Sequence, residues 1–411
     1  MPLSKGEPLN FSSARKMPAP PTIQNMSNPR RASRDMRRSD GGAGILRALE
    51  KFSGSPLLSG IRQQLTHVEW AGFRFYDLIF PLFVFIAGVS LTFSTGKAVE
   101  RSGKAGAVKR LLSRGLLLFL VGVFYSGGLS QGLDGVRWLG VLNRIAVAST
   151  AAGILLVFLP VRALLGVCAG ILLGYWALFA WVPIRAIQLI PTAVQEGMAR
   201  TGTTNAQQLY WSTPQRVTGQ YEPGLNVVNH FDFEHLPGKK YDTYYDPEGI
   251  LSTIPAIATC LLGVFAGSLL RLGSLKPTQR TLRLILAGLA CLAVGWVWSG
   301  SFPIVKKLWT SSFVLFAGGW SFLLLAGFYQ VVDGWGQQRW CQPFVWIGTN
   351  PITLYLLSSF VGYGAVAGRF LSPELRAQLG TTGEVLQAAG GLLVLFLFAR
   401  ALHRRKLFLR L

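Results

Sequence analysis

The stretch His67-Val68-Glu69-Trp70-Ala71-Gly72-Phe73-Arg74-Phe75-Tyr76-Asp77, with the apolar run Leu78–Ser94 behind it, decides how this chain is read. A histidine and two carboxylates stand directly before seventeen residues that carry no charge. A run of about 20 apolar residues is what a helix needs to cross the hydrocarbon of a bilayer. Polar chemistry here abuts a membrane span.

Working outward, the same pattern repeats. Of 411 residues, 50% are hydrophobic and only 14% charged, and apolar runs of span length recur along the chain. The fold class this predicts is all-α, a polytopic helical membrane protein. Forty Lys and Arg against eighteen Asp and Glu give a net charge of +22. These cations flank the apolar runs or crowd the N-terminus, as membrane topology requires, so nucleic acid is not an expected partner and the lipid bilayer is. Cys168, Cys260 and Cys291 lie inside apolar runs and Cys341 at the edge of another, with no CxxC pair. Neither a disulfide framework nor a metal site is expected.

Residues 1–43 are rich in Pro, Ser, Asn and Arg, with no apolar run long enough to bury, and read as a disordered basic segment. Residues 44–65 read as a short amphipathic helix pair lying at the interface. The domain 44–411 then holds nine expected spans, at 76–95, 111–128, 138–159, 163–183, 251–270, 283–300, 308–331, 342–364 and 384–402. One large extramembrane loop, 184–250, carries His230 and His235 and ends in Tyr244-Tyr245-Asp246-Pro247-Glu248-Gly249. Pro and Gly punctuate a turn there, directly before the fifth span.

Orientation follows from Lys and Arg in the loops. Lys97 to Arg114, Arg271 to Arg283, and His403-Arg404-Arg405-Lys406 form three basic groups. All three are cytoplasmic together only if the first span runs inward, which puts His67 on the non-cytoplasmic side. Nine spans would then send the basic N-terminus across the membrane, so the chain reads as one helix short, with the gap near residues 35–45.

His67 is the leading candidate for catalysis, because a neutral imidazole takes and returns a proton near pH 7 or acts as a nucleophile. Glu69 and Asp77 are near enough in sequence to orient it. The bland alternative is a histidine anchoring a helix end among headgroups. Asp77 enters the hydrocarbon edge, where ionisable side chains mark functional paths, but a carboxylate also suits a helix N-terminus. Asp246 and Glu248, before the fifth span, carry the same two readings and are the candidates for binding substrate. Arg144, in Leu142-Asn143-Arg144-Ile145-Ala146, needs a partner inside its span, a phosphate or carboxylate, unless it snorkels to the interface. Lys306-Lys307-Leu308-Trp309-Thr310-Ser311-Ser312 puts hydroxyls and an indole at the mouth of the seventh span, and Gly348-Thr349-Asn350-Pro351 breaks the eighth.

These segments together resemble one family. His67 to Gly72 with Asp77 to Ser90, then Leu139-Gly140-Val141-Leu142-Asn143-Arg144, then Tyr245 to Thr253, then Lys307 to Ser312, are similar in kind and order to the heparan-α-glucosaminide N-acetyltransferases, in their bacterial branch. The resemblance implies acetyl-CoA drawn from the cytoplasm as co-substrate, with no metal, and an amino sugar or glycan acetylated on the far side. His67 matches the active-site histidine, acting as a base or carrying the acetyl group. Arg144, Trp309, Ser311, Ser312 and Asn350 fall in segments that border the CoA cavity. The implied setting is a bacterial inner membrane with His67 facing the periplasm, and a homo-oligomer is left open. One departure stands out: where the family has a first helix with a Ser-Leu-Asp-x-Leu-Arg-Gly type motif, this chain has Arg31 to Asp40 and no apolar helix. A truncated or frame-altered N-terminus is the expectation. A proton-coupled permease using Asp77 and His67 as a relay, and an inactive membrane scaffold, are the competing functions.

Overall fold

The computed structural model describes residues 56–361, 363–369 and 378–408. The basic segment 1–43 and the gap expected near 35–45 lie outside the described residues. Of the amphipathic pair expected over 44–65, the described part is one helix, α1, Pro56–Gln64.

In hydrocarbon every backbone polar group must be satisfied within the chain, which leaves long apolar sequences one solution, the helix. Among the described residues seven helices are long and apolar enough to cross a membrane, beginning with α2, Phe75–Tyr125, and ending with Val385–Arg404. The first of these runs 51 residues, which as a straight rod would measure roughly 75 Å, far more than the hydrocarbon thickness. It is not a rod. Gly103 breaks it with φ 68° and ψ 177°, a conformation open to glycine because it has no Cβ to clash. Leu91 and Leu111, on opposite sides of that break, both press on Gly153 in the next helix: a Cβ there would meet their methyls at 3.3 and 2.9 Å. On one straight helix those leucines would stand about 30 Å apart. The element is therefore a helical hairpin, and its two arms are the first two expected spans.

α3 (Val141–Phe158) and α4 (Val161–Trp181) follow, then the long loop 184–250, then α5 (Ile254–Leu270), α6 (Pro277–Trp298) and α7 (Ser311–Tyr329). The first arm of α2 packs on α5 through glycines. A Cβ at Gly88 would lie 1.9 Å from the Cys260 carbonyl oxygen, and one at Gly263 would lie 1.9 Å from that of Phe85. Without a hydrophobic drive between helices in lipid, such close backbone approach supplies the attraction. Phe85, Leu261, Trp309 and Phe313 belong to the buried core this arrangement closes.

The expected eighth span is interrupted as its sequence suggests. α8 (Gln342–Gly348) stops, Thr349 and Asn350 form the break, and α9 (Pro351–Val361) resumes, with α10 (Tyr363–Gly368) beyond it. Proline has no N–H for a preceding turn and clashes with one, so the helix restarts at Pro351. α11 (Thr381–Arg404) completes the bundle.

The loop 184–250 folds as a cap. Ile184–Arg185 pairs antiparallel with Arg216–Val217, and helices Pro191–Thr201, Ala206–Ser212 and Val227–His235 pack around Leu189, Val194, Leu209, Tyr210 and Tyr245. Asn205 and Asn226 start the latter two by accepting the backbone N–H of Gln208 and Asn229, the role that favours Asn at a helix start. The cap is tied to the His67 end of the bundle: Trp70 Nε1 donates to the Tyr221 carbonyl at 2.8 Å, and Lys307 pairs with Asp242 at 2.9 Å.

Candidate active site

The segment between α1 and α2 is held in place at both ends of its turn. Gly72 N–H donates to the Ile304 carbonyl at 2.8 Å, and Ala71 bridges Val305, so residues 67–74 lie against the loop that leads into α7. Arg74 Nη1 donates to the Thr66 hydroxyl and the His67 carbonyl at 2.8 and 3.1 Å. Asp77, three residues inside α2, uses Oδ2 to accept the N–H groups of Val68 and Arg74, both at 3.2 Å. That caps the helix start, where unpaired N–H groups and the dipole favour a carboxylate.

Its other oxygen does something else. Oδ1 lies 2.7 Å from His67 Nδ1 and 3.2 Å from Lys306 Nζ, and Lys306 stands 3.0 Å from the same ring nitrogen. Asp77 is 2% exposed at its side chain while His67 is 53% exposed. A buried carboxylate thus holds an imidazole that solvent or a substrate can reach, the base-and-orienter geometry of acid–base catalysis. Tyr76 packs on the ring with centroids 4.5 Å apart. Burial pulls the Lys306 ammonium below the usual lysine range, against the pull of Asp77 in the other direction.

Behind this mouth the side chains form a continuous buried layer. Phe80, one turn beyond Asp77, meets Trp309 edge-on with centroids 5.0 Å apart. The Arg144 guanidinium lies over Trp309 at 4.6 Å and over Phe80 at 5.9 Å. Its Nη2 donates to the Pro247 carbonyl at 2.6 Å and the Ser252 hydroxyl at 2.5 Å, joining the third span to the turn before the fifth. Among the described residues its Nε is buried with no hydrogen-bond partner. Trp309 has φ 54°, a region that a bulky residue seldom enters, and its Nε1 donates to Thr259 at 3.0 Å. Such a conformation persists only where its surroundings impose it.

The two carboxylates of that turn converge on a cation. Arg137 donates to Asp246 through Nε and Nη2 at 2.8 and 2.7 Å, and to Glu248 at 2.7 Å. The planar fork of arginine suits this bidentate pairing. Burial opposes the Arg137 charge, but Asp246 and Glu248 outweigh it and raise its pKa. Burial also pushes the Glu248 carboxyl up, with Arg144 and Arg137 pulling it back.

Of the residues singled out in sequence, then, His67 and Asp77 meet directly, and Arg144, Trp309, Asp246 and Glu248 share the layer beneath them. Ser311 and Ser312 begin α7 in the same region, donating to the carbonyls of Leu172 at 2.7 Å and Pro303 at 3.1 Å. Two residues stand apart. Glu69 is exposed and does not reach His67, because the helix start presents Asp77 to the ring in its place. Asn350 lies at the other end of the bundle, its Nδ2 donating to the Leu407 carbonyl at 3.0 Å. Sequence reasoning missed Lys306 and Arg137. Both are lysine or arginine in loops of a basic chain, and their partners lie 229 and 109 residues away.

A model of the family described as heparan-alpha-glucosaminide N-acetyltransferase, catalytic, matches residues 57–202, which include His67, Asp77, Arg137 and Arg144. Two relatives carry the similarity further. The chain is 27% identical to the mouse (Mus musculus) heparan-alpha-glucosaminide N-acetyltransferase over 91% of its own length and 61% of the relative's. It is 27% identical to the human (Homo sapiens) protein of that name over 76% of its own length and 52% of the relative's. The chain thus spans between about half and three-fifths of the length of these curated relatives. With the matched region containing the His67–Asp77 pair and the likeness running through the later spans, the chain is similar to the heparan-α-glucosaminide N-acetyltransferases over most of its length.

Proposed function

We propose that this protein is a transmembrane N-acetyltransferase that moves an acetyl group from cytoplasmic acetyl-CoA to an amino sugar on the opposite side of the membrane, with His67 as the reacting residue. The observation that carries this reading is the exposed imidazole of His67, held at 2.7 Å by the buried Asp77 at one end of a membrane bundle. The family relatives carry the acetyl-transfer name, and the loop charges support the sidedness.

The chain's own groups divide the work as follows. Asp77 accepts the Nδ1 proton and leaves Nε2 as the basic nitrogen of His67. As the sugar amine attacks the thioester carbonyl, a C–N bond forms and the C–S bond breaks. Nε2 takes the proton that the amine loses, and the CoA thiolate leaves with a proton from solvent. Nε2 is equally the atom that would carry the acetyl group if transfer runs in two steps. Lys306, beside both Nδ1 and Asp77, fixes the carboxylate between two donors. Arg144 keeps a spare buried donor at Nε for an oxygen of the acetyl-CoA. Asp246 and Glu248, neutralised by Arg137, shape the wall on the acceptor side. A bacterial inner membrane is the setting we infer, with His67 in the periplasm and a cell-envelope or scavenged sugar as acceptor.

Purified protein given labelled acetyl-CoA and a panel of amino sugars tests this. Acetylated sugar is expected with the native chain and its loss with His67→Ala. Transfer that survives His67→Ala would remove the histidine from the mechanism, and movement of sugar across the membrane without acetyl-CoA would favour a permease.

A further inference from the structure

At the end of the bundle opposite His67, the two arms of α2 enclose a cavity of about 150 Å³ on either side of the Gly103 break. Lys97 and Arg101 line it from the first arm, Arg110 and Arg114 from the second. The positive-inside rule explains why cations occur in this loop, but not why four of them face one space. Like charges gathered by a fold repel, and among the described residues Lys97, Arg101 and Arg110 form no ion pair.

A second observation points into the same cavity. Thr95 is only 6% exposed, lines the cavity, and its Oγ1 is buried without a hydrogen-bond partner. Hydroxyls inside helices ordinarily donate to a carbonyl three or four residues back. On this same arm Thr92 does so to Val89, Ser94 to Ser90 and Ser102 to Ala98, at 2.8 to 3.1 Å. Thr95, buried as it is, makes no such bond and leaves its hydroxyl at the cavity. An oxyanion surrounded by arginine forks and one hydroxyl donor is the ligand this lining fits.

We infer that the cavity binds the phosphate of an anionic phospholipid. The volume holds a phosphate with a few waters, each needing about 30 Å³. Just outside, Phe93, Leu112 and Leu116 are exposed on the two arms, giving acyl chains an apolar face to lie along. Basic pockets between spans at the cytoplasmic face are where such headgroups settle. Only the choice of leaflet rests on the orientation proposed above.

The test is native mass spectrometry of the purified full chain with added cardiolipin or phosphatidylglycerol, against phosphatidylcholine. Each juxtamembrane cation contributes about a fivefold factor to anionic-lipid binding, so R101Q/R110Q is expected to weaken it about thirtyfold. Thr95→Val, which keeps the shape, is expected to weaken it severalfold. The control R283Q/R405Q removes two cations elsewhere and should change it little. Equal loss in the control, unchanged binding in Thr95→Val, or displacement of the lipid by inorganic phosphate or CoA would overturn the assignment, the last by making the ligand a soluble phosphate.

Discussion

Asp77 answers two needs with two oxygens: one caps a helix entering the membrane, the other orients the imidazole of His67. Of the two readings of this residue open in the sequence, the helix-terminal carboxylate is visible in its contacts, and the contact with His67 supports the functional one. That overlap makes a clear prediction for Asp77→Asn. The amide must turn its NH2 toward either the capping N–H groups or the Lys306 ammonium, so one side loses its acceptor. Acetyl transfer is expected to fall at least about 100-fold, with stability lowered by about 1–3 kcal/mol from the donor left unpaired. Rates from radiolabelled acetyl-CoA and a thermal unfolding series would show both. Lys306→Met should lower transfer about tenfold while leaving the fold intact, and Lys306→Arg should recover part of the loss. Equal activity in all three would mean that Lys306 only fills space. The His67–Asp77 pair was legible because the residues are ten apart across a helix start. Lys306 was not, since one sequence cannot show a contact across 229 positions.

At the scale of elements, glycine decides how closely the first arm of α2 meets α5. Gly263→Ala would place a methyl 1.9 Å from the Phe85 carbonyl, with backbone rather than a flexible side chain in the way. A loss of about 3 kcal/mol or more is expected in denaturation, since overpacking against rigid backbone cannot relax. Gly170→Ala, with nothing within 4 Å, should leave stability unchanged or slightly higher. The cap formed by residues 184–250 carries two buried titrating groups with opposite slopes. Burial holds His230 down to about 4, beside Tyr210 and the Ile187 carbonyl. Its contribution is present above the unfolded histidine range and is lost as pH falls from about 6.5 through 4. Burial pushes Asp232 up to about 7, against the N–H groups of Ile250 and Asp246. Its contribution is present below the unfolded carboxyl range and is lost as pH rises from about 4 through 7. The two nearly cancel in the native chain, each being about 3 to 4 kcal/mol over the window. In His230→Gln, stability should rise as pH drops from 7 to 4, and in Asp232→Asn it should fall. Parallel melting curves for both variants would contradict this account.

The hairpin shows what sequence conveys at this scale. Two apolar runs separated by Lys97 to Arg114 predict two spans, and the structure delivers them as one broken element around Gly103. The break at Thr349 and Asn350 was equally visible, because proline at 351 cannot continue a helix from the preceding turn. The left-handed backbone of Trp309 was not, because the residues that surround it, Arg144, Phe80 and Thr259, come from distant parts of the chain.

For the whole molecule, the placement of polar groups matters more than the number of spans. His67, Lys306 and the cap lie at one end, and the cations around the α2 hairpin at the other. Nothing polar along one sequence says which loops come together, but charge in the loops does order the ends. That asymmetry is the basis for assigning opposite sides to the two substrates. Proteoliposomes with the protein in a single orientation, acetyl-CoA confined to the side of the basic hairpin and amino sugar confined to the His67 side, test it most directly. The account predicts acetylated sugar on the His67 side from the native chain and none from His67→Ala. Product formed only when both substrates share one compartment, or formed equally by His67→Ala, would contradict it.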